Sequence, residues 1–151
     1  MNRTAWLALM VAAAASQGCG LSTGSPQDRQ IVSVPLTATH VNAGKIAEAT
    51  LVDEGKATGL TLVIGGVPDN VSRPVHLYTF IYPGTCSRLG TEPAYELNRI
   101  VLADRIGRYA GWRLAKSVPA GLEHLRSGGY SIVVRTSPAD GNQDIFCGKI
   151  P

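Results

Sequence analysis

The sequence predicts an all-β domain, built as an antiparallel β-sandwich or flattened barrel, and three observations indicate this. Several runs alternate apolar and polar residues with the period of two that a half-buried strand requires. Clusters of Gly, Pro, Asp and Asn separate the runs at short intervals, as turns do in all-β domains. Little of the chain has a helical period. With 151 residues, the chain is long enough for one domain with its own core.

The first residues predict export. A short positive start, Met1 to Arg3, precedes an apolar run of 11 residues, Ala5 to Ala15, and small residues follow. This is the order found in a secretory signal peptide. The run is too short to span a bilayer, which requires about 20 apolar residues. We therefore predict a signal peptide at residues 1–18, with a buried N-terminal helix of the fold as the alternative.

The tetrapeptide Ser16-Gln17-Gly18-Cys19 resembles a bacterial lipobox. Gly18 fits the pattern, whereas the two residues before it replace the usual Leu and small residue. Three cysteines is an odd number for an exported protein, and lipidation of Cys19 would leave Cys86 and Cys147 as one pair. We expect a lipid anchor on Cys19. Cleavage by the ordinary signal peptidase and an unprocessed leader are the alternatives.

A polar tether is predicted between this anchor and the domain. Gly20 to Gln30 is small, polar and interrupted by Gly and Pro, which is typical of a flexible linker with a reach of roughly 20 Å. Residue 20 is not Asp, which resembles cargo sent to the outer membrane. We predict a bacterial periplasmic location, with residues 19–30 as lipidated cysteine and tether and residues 31–151 as the domain.

The first strands follow the tether. Ordered structure is predicted from Ile31, where β-branched residues and Pro35 suit an edge strand. Lys45 to Leu51 and Leu60 to Ile64 each alternate with a period of two on either side of a turn at Asp53 to Gly55. These two runs and the turn between them predict an antiparallel hairpin.

The most β-prone run is Val75 to Tyr82, in which every residue except His76 and Leu77 is aromatic or β-branched. Such a run predicts a strand buried on at least one face. The remaining predicted elements are short strands at Ile100–Leu102 and Trp112–Ala115, one helical turn within Pro119–Leu125, and strands at Tyr130–Thr136 and Asp144–Ile150 around a turn at Ser137–Asn142.

Two motifs resemble the bacterial copper/zinc superoxide dismutases. In that family a strand of sequence His-Gly-Phe-His-Val-His reaches a cysteine ten residues after its first histidine, and His76 and Cys86 have this spacing. The family ends in Cys-Gly-x-Ile, and this chain ends in Cys147-Gly148-Lys149-Ile150 before its last residue. The resemblance covers Lys45 to Pro151. It implies a Greek-key antiparallel sandwich with a Cys86–Cys147 disulfide; the related chordin-type domains are a second possible family.

The same resemblance implies that the metal ligands are missing. The second and third histidines of the family strand bind copper, and Thr79 and Ile81 occupy those positions. Arg135 follows Val-Val where the family has another copper-binding histidine, and it would place a fixed positive charge in the former metal site. The zinc loop of the family has no counterpart in residues 87–130. We therefore expect no metal, no cofactor and no dismutase activity.

Other kinds of functional site have less support from the residues alone. The alternative to a metal-free domain is a copper- or zinc-binding enzyme with a reduced site, built from His40, His76 or His124. Asp140 to Asp144 has the oxygen spacing that begins a calcium loop, but Asp-Gly after a proline favours a turn. The two cysteines of the body are 61 residues apart, without the C-x-x-C spacing of a redox pair, which favours a structural disulfide.

Basic residues are concentrated in one segment. Residues 99–135 contain seven Lys or Arg and two acids, a net charge of +5, against +3 for the whole chain. They predict a basic binding face for an anionic surface or an unidentified envelope protein, with an ordinary solvated surface as the alternative. The overall charge is too small to indicate nucleic acid. The residues of this face are Arg99, Arg105, Arg108, Arg113 and Lys116.

Taken together, these patterns predict a non-catalytic, exported envelope lipoprotein with a metal-free, superoxide dismutase-like domain. Its role would be binding or structural, and the sequence does not identify the ligand.

Overall fold

The computed structural model describes residues 29–108 and 111–151. The predicted signal peptide, Cys19 and the tether up to residue 28 lie outside this part of the chain. Ten strands and one short helix follow in order: β1 Ile31–Ala38, β2 Ala47–Asp53, β3 Thr58–Ile64, β4 Leu77–Thr85, β5 Arg88–Leu89, β6 Tyr95–Glu96, β7 Asp104–Ile106, β8 Gly111–Val118, α1 Leu122–Ser127, β9 Tyr130–Thr136 and β10 Asp144–Lys149.

All strand pairs are antiparallel, and the strand order is β5-β4-β9-β10-β1-β2-β3-β8-β7, with β6 also on β4. Strand β1 belongs to two sheets, because Ile31 to Leu36 pair with β2 whereas Thr37 and Ala38 pair with β10. We call β1-β2-β3-β8-β7 the first sheet, and β10-β9-β4 with β5 and β6 the second sheet. The arrangement is sandwich-like and does not close, since β5 and β7 are at opposite ends of the order.

The core lies between the inner faces of the two sheets. Leu60 and Leu62 of β3 belong to the same buried cluster as Ile81 of β4 and Ile132 of β9. Strands β2, β3 and β8 contribute alternate residues, as the period of two predicted, whereas β9 and β10 are buried over four consecutive residues. An all-β, antiparallel fold is therefore confirmed.

Several predicted elements are confirmed in detail. Ordered strand begins at Ile31, β2 and β3 pair over seven residues from Ala47↔Ile64 to Asp53↔Thr58, and β9 has the predicted bounds. The helical turn is α1, and a 3-10 turn at Pro138–Asp140 lies within the predicted turn. The β8 strand is longer than the predicted Trp112–Ala115, because it extends to Val118.

The predicted strand at Ile100–Leu102 is wrong. Leu102 forms only an isolated bridge with His76. The segment crosses from one sheet to the other: Leu97 N donates to Thr79 O in the second sheet, and Asp104 pairs with Arg113 in the first. A crossing segment cannot complete a ladder with either sheet.

One disulfide joins Cys86 to Cys147, with the two Cα atoms 5.8 Å apart. It links Cys86, the residue after β4, to Cys147 in β10. The next residue, Gly148, lies against β1, since a Cβ there would be 2.6 Å from the Pro35 carbonyl oxygen. The Cys-Gly pair thus combines a covalent link with a position where the backbone of β1 leaves no space for a side chain.

The sandwich has two ends. The entry end holds the start of β1, the β2–β3 turn, α1 and the C-terminus, because Ile31 pairs with Val52 and Ser131 with Lys149. The far end holds the β7–β8 turn and the 3-10 turns at His40–Asn42 and Pro138–Asp140. Strands of seven or eight residues separate the ends by about 25 Å. Within the described residues, no helix has the length and hydrophobicity needed to cross a membrane.

Candidate functional site

The two faces of β4 have different surroundings. Leu77, Thr79 and Ile81 are fully buried and point into the core between the sheets. Tyr78, Phe80 and Tyr82 alternate with them, and Phe80 and Tyr82 form a separate cluster with Val133 and Cys147 on the outer face. Thr79 and Ile81, the positions of the copper ligands in the resemblance, are therefore core positions.

Arg135 lies on the opposite face of the second sheet from Thr79 and Ile81. It pairs with Tyr78 across β4 and β9, and directly opposite side chains of paired strands share a face. Its Nε donates to Asp144 Oδ1 at 2.5 Å, and its guanidinium lies 4.8 Å from the centre of the Phe80 ring. The three residues predicted at the copper-ligand positions do not converge. The ten-residue spacing between His76 and Cys86 does not determine on which face of the second sheet Arg135 lies.

The environment of Arg135 stabilises its charge. Burial disfavours the charged guanidinium, but the hydrogen bond and charge of Asp144, together with Tyr82, raise the pKa of Arg135 above its ordinary value. Arg135 is thus engaged in an ion pair and a cation–π contact on the outer face. The aromatic residues Tyr78, Phe80 and Tyr82 at this place were not singled out from the sequence, although their alternation with Thr79 and Ile81 was a signal for a second face.

The histidines do not form one site. His40 is in a 3-10 turn and His76 bridges Leu102 next to β4, both at the far end. His124 is in α1 at the entry end, where its Nε2 is 3.3 Å from the Tyr130 hydroxyl. No group of three or more His, Cys, Asp or Glu residues in the described part of the chain is arranged to hold a metal ion.

Asp140 organises a turn at the far end. Its Oδ1 accepts hydrogen bonds from Ser72 N at 2.9 Å and Ser72 Oγ at 2.5 Å, and its Oδ2 accepts one from Ser137 Oγ at 2.6 Å. The hydrogen bonds from Ser137 and Ser72 lower the pKa of Asp140. The predicted turn at Ser137–Asn142 is confirmed, and the Asp140 carboxylate joins it to the loop that contains Ser72.

A cleft of about 650 Å³ lies along the open side of the sandwich. We call it the seam cleft, since it separates the outer edge of β8 from the segment that follows β6. Strand β7 covers only Gly111 to Arg113 of β8, so the rest of that edge has no strand partner among the described residues. The residues that line the cleft are Glu96, Leu97, Arg99, Ile100, Ala115, Lys116, Ser117 and Pro119.

Lys116 is the unusual residue of the seam cleft. It is half-buried and has the core-facing parity of β8, between the buried side chains of Leu114 and Val118. Its Nζ donates a hydrogen bond to the Ile100 carbonyl oxygen. Burial lowers the pKa of Lys116 to about 8. The two salt bridges of the described residues, Arg126–Glu123 and Arg135–Asp144, do not involve this amine.

The five predicted basic residues lie in two places. Arg99 and Lys116 line the seam cleft, whereas Arg105, Arg108 and Arg113 belong to the exposed β7–β8 hairpin at the far end. Arg113 lies opposite Asp104 in the β7–β8 strand ladder. Its side chain points to the opposite face of β8 from that of Lys116. The basic residues are close together in sequence, but the fold places them on two different surfaces, the seam cleft and the β7–β8 hairpin.

No family model, curated protein or solved structure matches this chain.

Proposed function

We propose that this chain is an exported lipoprotein of the bacterial envelope, anchored through Cys19 and located in the periplasm at the outer membrane. Its domain would have the Greek-key sandwich of the copper/zinc superoxide dismutases without their metal centre. The domain would bind a ligand or partner and would not catalyse dismutation.

The fold proposal is supported by where the two motifs lie. The run from His76 to Cys86 contains β4, and the run from Cys147 to Ile150 contains the end of β10. Both strands pair with β9, and the disulfide links them on the outer face. Two short motifs that are distant in sequence are thus parts of one covalently linked unit.

One observation carries the proposal of a non-catalytic domain: the residues at the copper-ligand positions face opposite sides of the second sheet. A copper site requires several imidazole or thiolate groups directed at one point. Thr79 and Ile81 are fully buried in the core, and Arg135 is paired with Asp144 on the other side. The histidines are divided between the two ends of the sandwich.

A binding role is supported by the seam cleft. Concave sites with apolar walls and a few polar groups are the usual form of small-ligand sites, and perturbed ionisable groups are concentrated at functional sites. The seam cleft combines Leu97 and Pro119 with Arg99 and the half-buried Lys116.

Superoxide consumption tests this function. We expect the purified full chain, produced in cells supplied with copper and zinc, to consume superoxide no faster than the same protein after heat denaturation. A dismutation rate that increases with the copper content of the preparation would contradict the proposal. It would support the alternative of an enzyme with a reduced metal site.

The anchor is tested separately. Replacing the predicted lipidation site in a Cys19→Ala variant should move the protein from the membrane fraction to the soluble periplasmic fraction and abolish incorporation of labelled palmitate. A variant that stays membrane-bound would overturn the anchor.

A further inference from the structure

We propose that Lys116 is a carbonyl-reactive amine, and that the seam cleft takes small aldehydes bearing an anionic group, which condense with Lys116 Nζ to form an imine. This inference rests on the binding role proposed for the cleft and names the ligand class. It does not depend on the superoxide dismutase-like fold or on the lipid anchor.

The position of Lys116 sets this amine apart from the other lysines. The chain has four lysines, and Lys45, Lys56 and Lys149 are all exposed. Lys116 instead pairs with Leu60 of β3 and has the core-facing parity of its strand. Its hydrogen bond to the carbonyl oxygen of Ile100, in the segment after β6, holds the amine in the cleft.

Among the described residues, the charges around Lys116 leave the amine without a carboxylate partner. Glu96 and Arg99 are the other charged residues that line the cleft, and Lys116 forms no salt bridge with the acid. Burial therefore disfavours the ammonium form, and the pKa of Lys116 falls to about 8. At about pH 7.5, roughly a quarter of such amines are neutral, against roughly a thousandth for a lysine with the ordinary pKa.

The chemistry needs no oxidant or reductant. The nitrogen lone pair of neutral Lys116 forms a bond to the carbonyl carbon, and the carbonyl π electrons move to oxygen. The nitrogen loses a proton and the oxygen gains one, which gives a carbinolamine. Loss of water then leaves a carbon–nitrogen double bond. Glu96, the one acid among the lining residues, is available to exchange these protons with solvent.

Arg99 and the size of the cleft define the ligand class. A guanidinium binds carboxylate or phosphate through two parallel hydrogen bonds, and Arg99 lines the same cleft as Lys116. The volume of about 650 Å³ is within the range of sites for small organic molecules. Leu97 and Pro119 provide apolar wall for the body of the ligand.

A protective role for Lys116 is the competing explanation. An inward-pointing charge at a strand edge discourages pairing with another chain. An arginine would retain that function, whereas only a lysine forms an imine. Both roles predict that a Lys116→Arg variant folds, so the roles are distinguished by the labelling rate of Lys116 in the wild-type chain.

The test uses pyridoxal 5′-phosphate as the aldehyde probe. The full chain is incubated with the probe, the imine is reduced with borohydride, and labelling at each lysine is measured by peptide mass spectrometry. We expect Lys116 to be labelled at least about ten times faster than Lys45, Lys56 or Lys149 at about pH 7.5. Its rate should level off above about pH 8, while the rates of the exposed lysines continue to rise.

Two variants complete the test. Lys116→Arg should fold with an unchanged melting profile and lose the fast-labelled site, and Arg99→Gln should slow labelling of Lys116 several-fold. Labelling of Lys116 no faster than that of the exposed lysines would overturn the proposal, and equal rates with and without Arg99 would overturn the anionic preference. Fast labelling in a protein that also dismutates superoxide would sink the proposed function but leave this inference intact.

Discussion

Thr79 is a polar side chain in the apolar interior. Its backbone is satisfied, because its N–H donates to Asn98 Oδ1 and its carbonyl accepts from Leu97 N. Its hydroxyl is buried and has no hydrogen-bond partner in residues 29–108 and 111–151. An unpaired buried hydroxyl costs about 1–3 kcal/mol, so Thr79 destabilises the core that contains it.

Thr79→Val should therefore stabilise the protein. Valine has nearly the same shape and removes the unpaired hydroxyl, so we expect the free energy of unfolding in urea to rise by about 1 kcal/mol. The matched control is Thr61→Val on the outer face of β3, where the change should be within about 0.5 kcal/mol. A loss of stability in Thr79→Val would indicate a hydrogen bond to the hydroxyl.

Lys116 should make stability depend on pH. The unfolded amine keeps its proton up to the ordinary value of 10.5, whereas the folded amine loses it at about 8. Between these values the unfolded state binds more protons, so stability rises with pH. Solvent screening of this half-exposed group reduces the gain to about 1–2 kcal/mol.

Chemical denaturation between pH 7 and 10 measures this effect, with Lys116→Met as the variant and Lys149→Met as its exposed control. Lys116→Met should flatten the rise, and the control should keep it. The range ends at 10 because burial and Tyr130 raise the pKa of Tyr95, whose titration acts in the opposite direction. An equal rise in all three proteins would contradict the assignment.

At the scale of elements, the disulfide connects the two strands that flank β9. Cys86 and Cys147 close a loop with a sequence separation of 61 residues. In the chain-entropy model, a crosslink over that length stabilises a domain by roughly 4 kcal/mol. Its removal should release the end of β4 from β10.

We predict that a Cys86→Ser/Cys147→Ser double variant loses about 2–4 kcal/mol of unfolding free energy. Wild-type protein treated with reductant under the same conditions should lose the same amount, which serves as the control for effects of the serines. A loss below about 0.5 kcal/mol would mean that the crosslink contributes little to this fold.

Elements with a strict period and marked turns could be predicted from sequence. The β2–β3 hairpin alternates on either side of a turn at Asp53 to Gly55. Strand β9 lacks this alternation, but its β-branched run lies between Gly129 and Pro138, and local signals suffice for such elements. The segment around Ile100 could not be predicted, because its hydrogen bonds divide between two sheets that only the tertiary fold brings together.

Part of the candidate site could be predicted from the sequence. The pairing of the cysteines followed from the motifs, whereas the opposite faces of Thr79 and Arg135 depended on strand register, which spacing between motifs does not fix. The core-facing position of Lys116 could have been predicted if the predicted strand at Trp112–Ala115 had extended to Val118. In WRLAKSV it shares its parity with Trp112, Leu114 and Val118, which are all buried.

At the scale of the molecule, the chain enters at one end and the basic hairpin lies at the other. Arg105, Arg108 and Arg113 are at the far end, about 25 Å from the start of β1. If the chain is anchored on Cys19, this hairpin lies at the end of the domain opposite the point where the tether joins β1. Its charge suits an anionic surface, polymer or protein.

Charge reversal at the far end tests this surface. We expect Arg105→Glu/Arg108→Glu/Arg113→Glu to reduce binding to dextran sulfate at least about ten-fold at low salt. The control reverses three basic residues at the entry end, Lys56, Arg88 and Lys149, and so makes the same change in net charge. Equal losses in both variants would mean that net charge, and not the hairpin, determines binding.

The most direct test of the proposal that the domain holds no metal is the amount of copper and zinc per chain. The full protein, purified from cells supplied with both metals, would be measured by inductively coupled plasma mass spectrometry after dialysis without chelator. We predict far less than one equivalent of either metal, because Thr79 and Ile81 face the core and Arg135 is paired with Asp144 on the other side. One equivalent of copper per chain, retained through dialysis, would contradict the account.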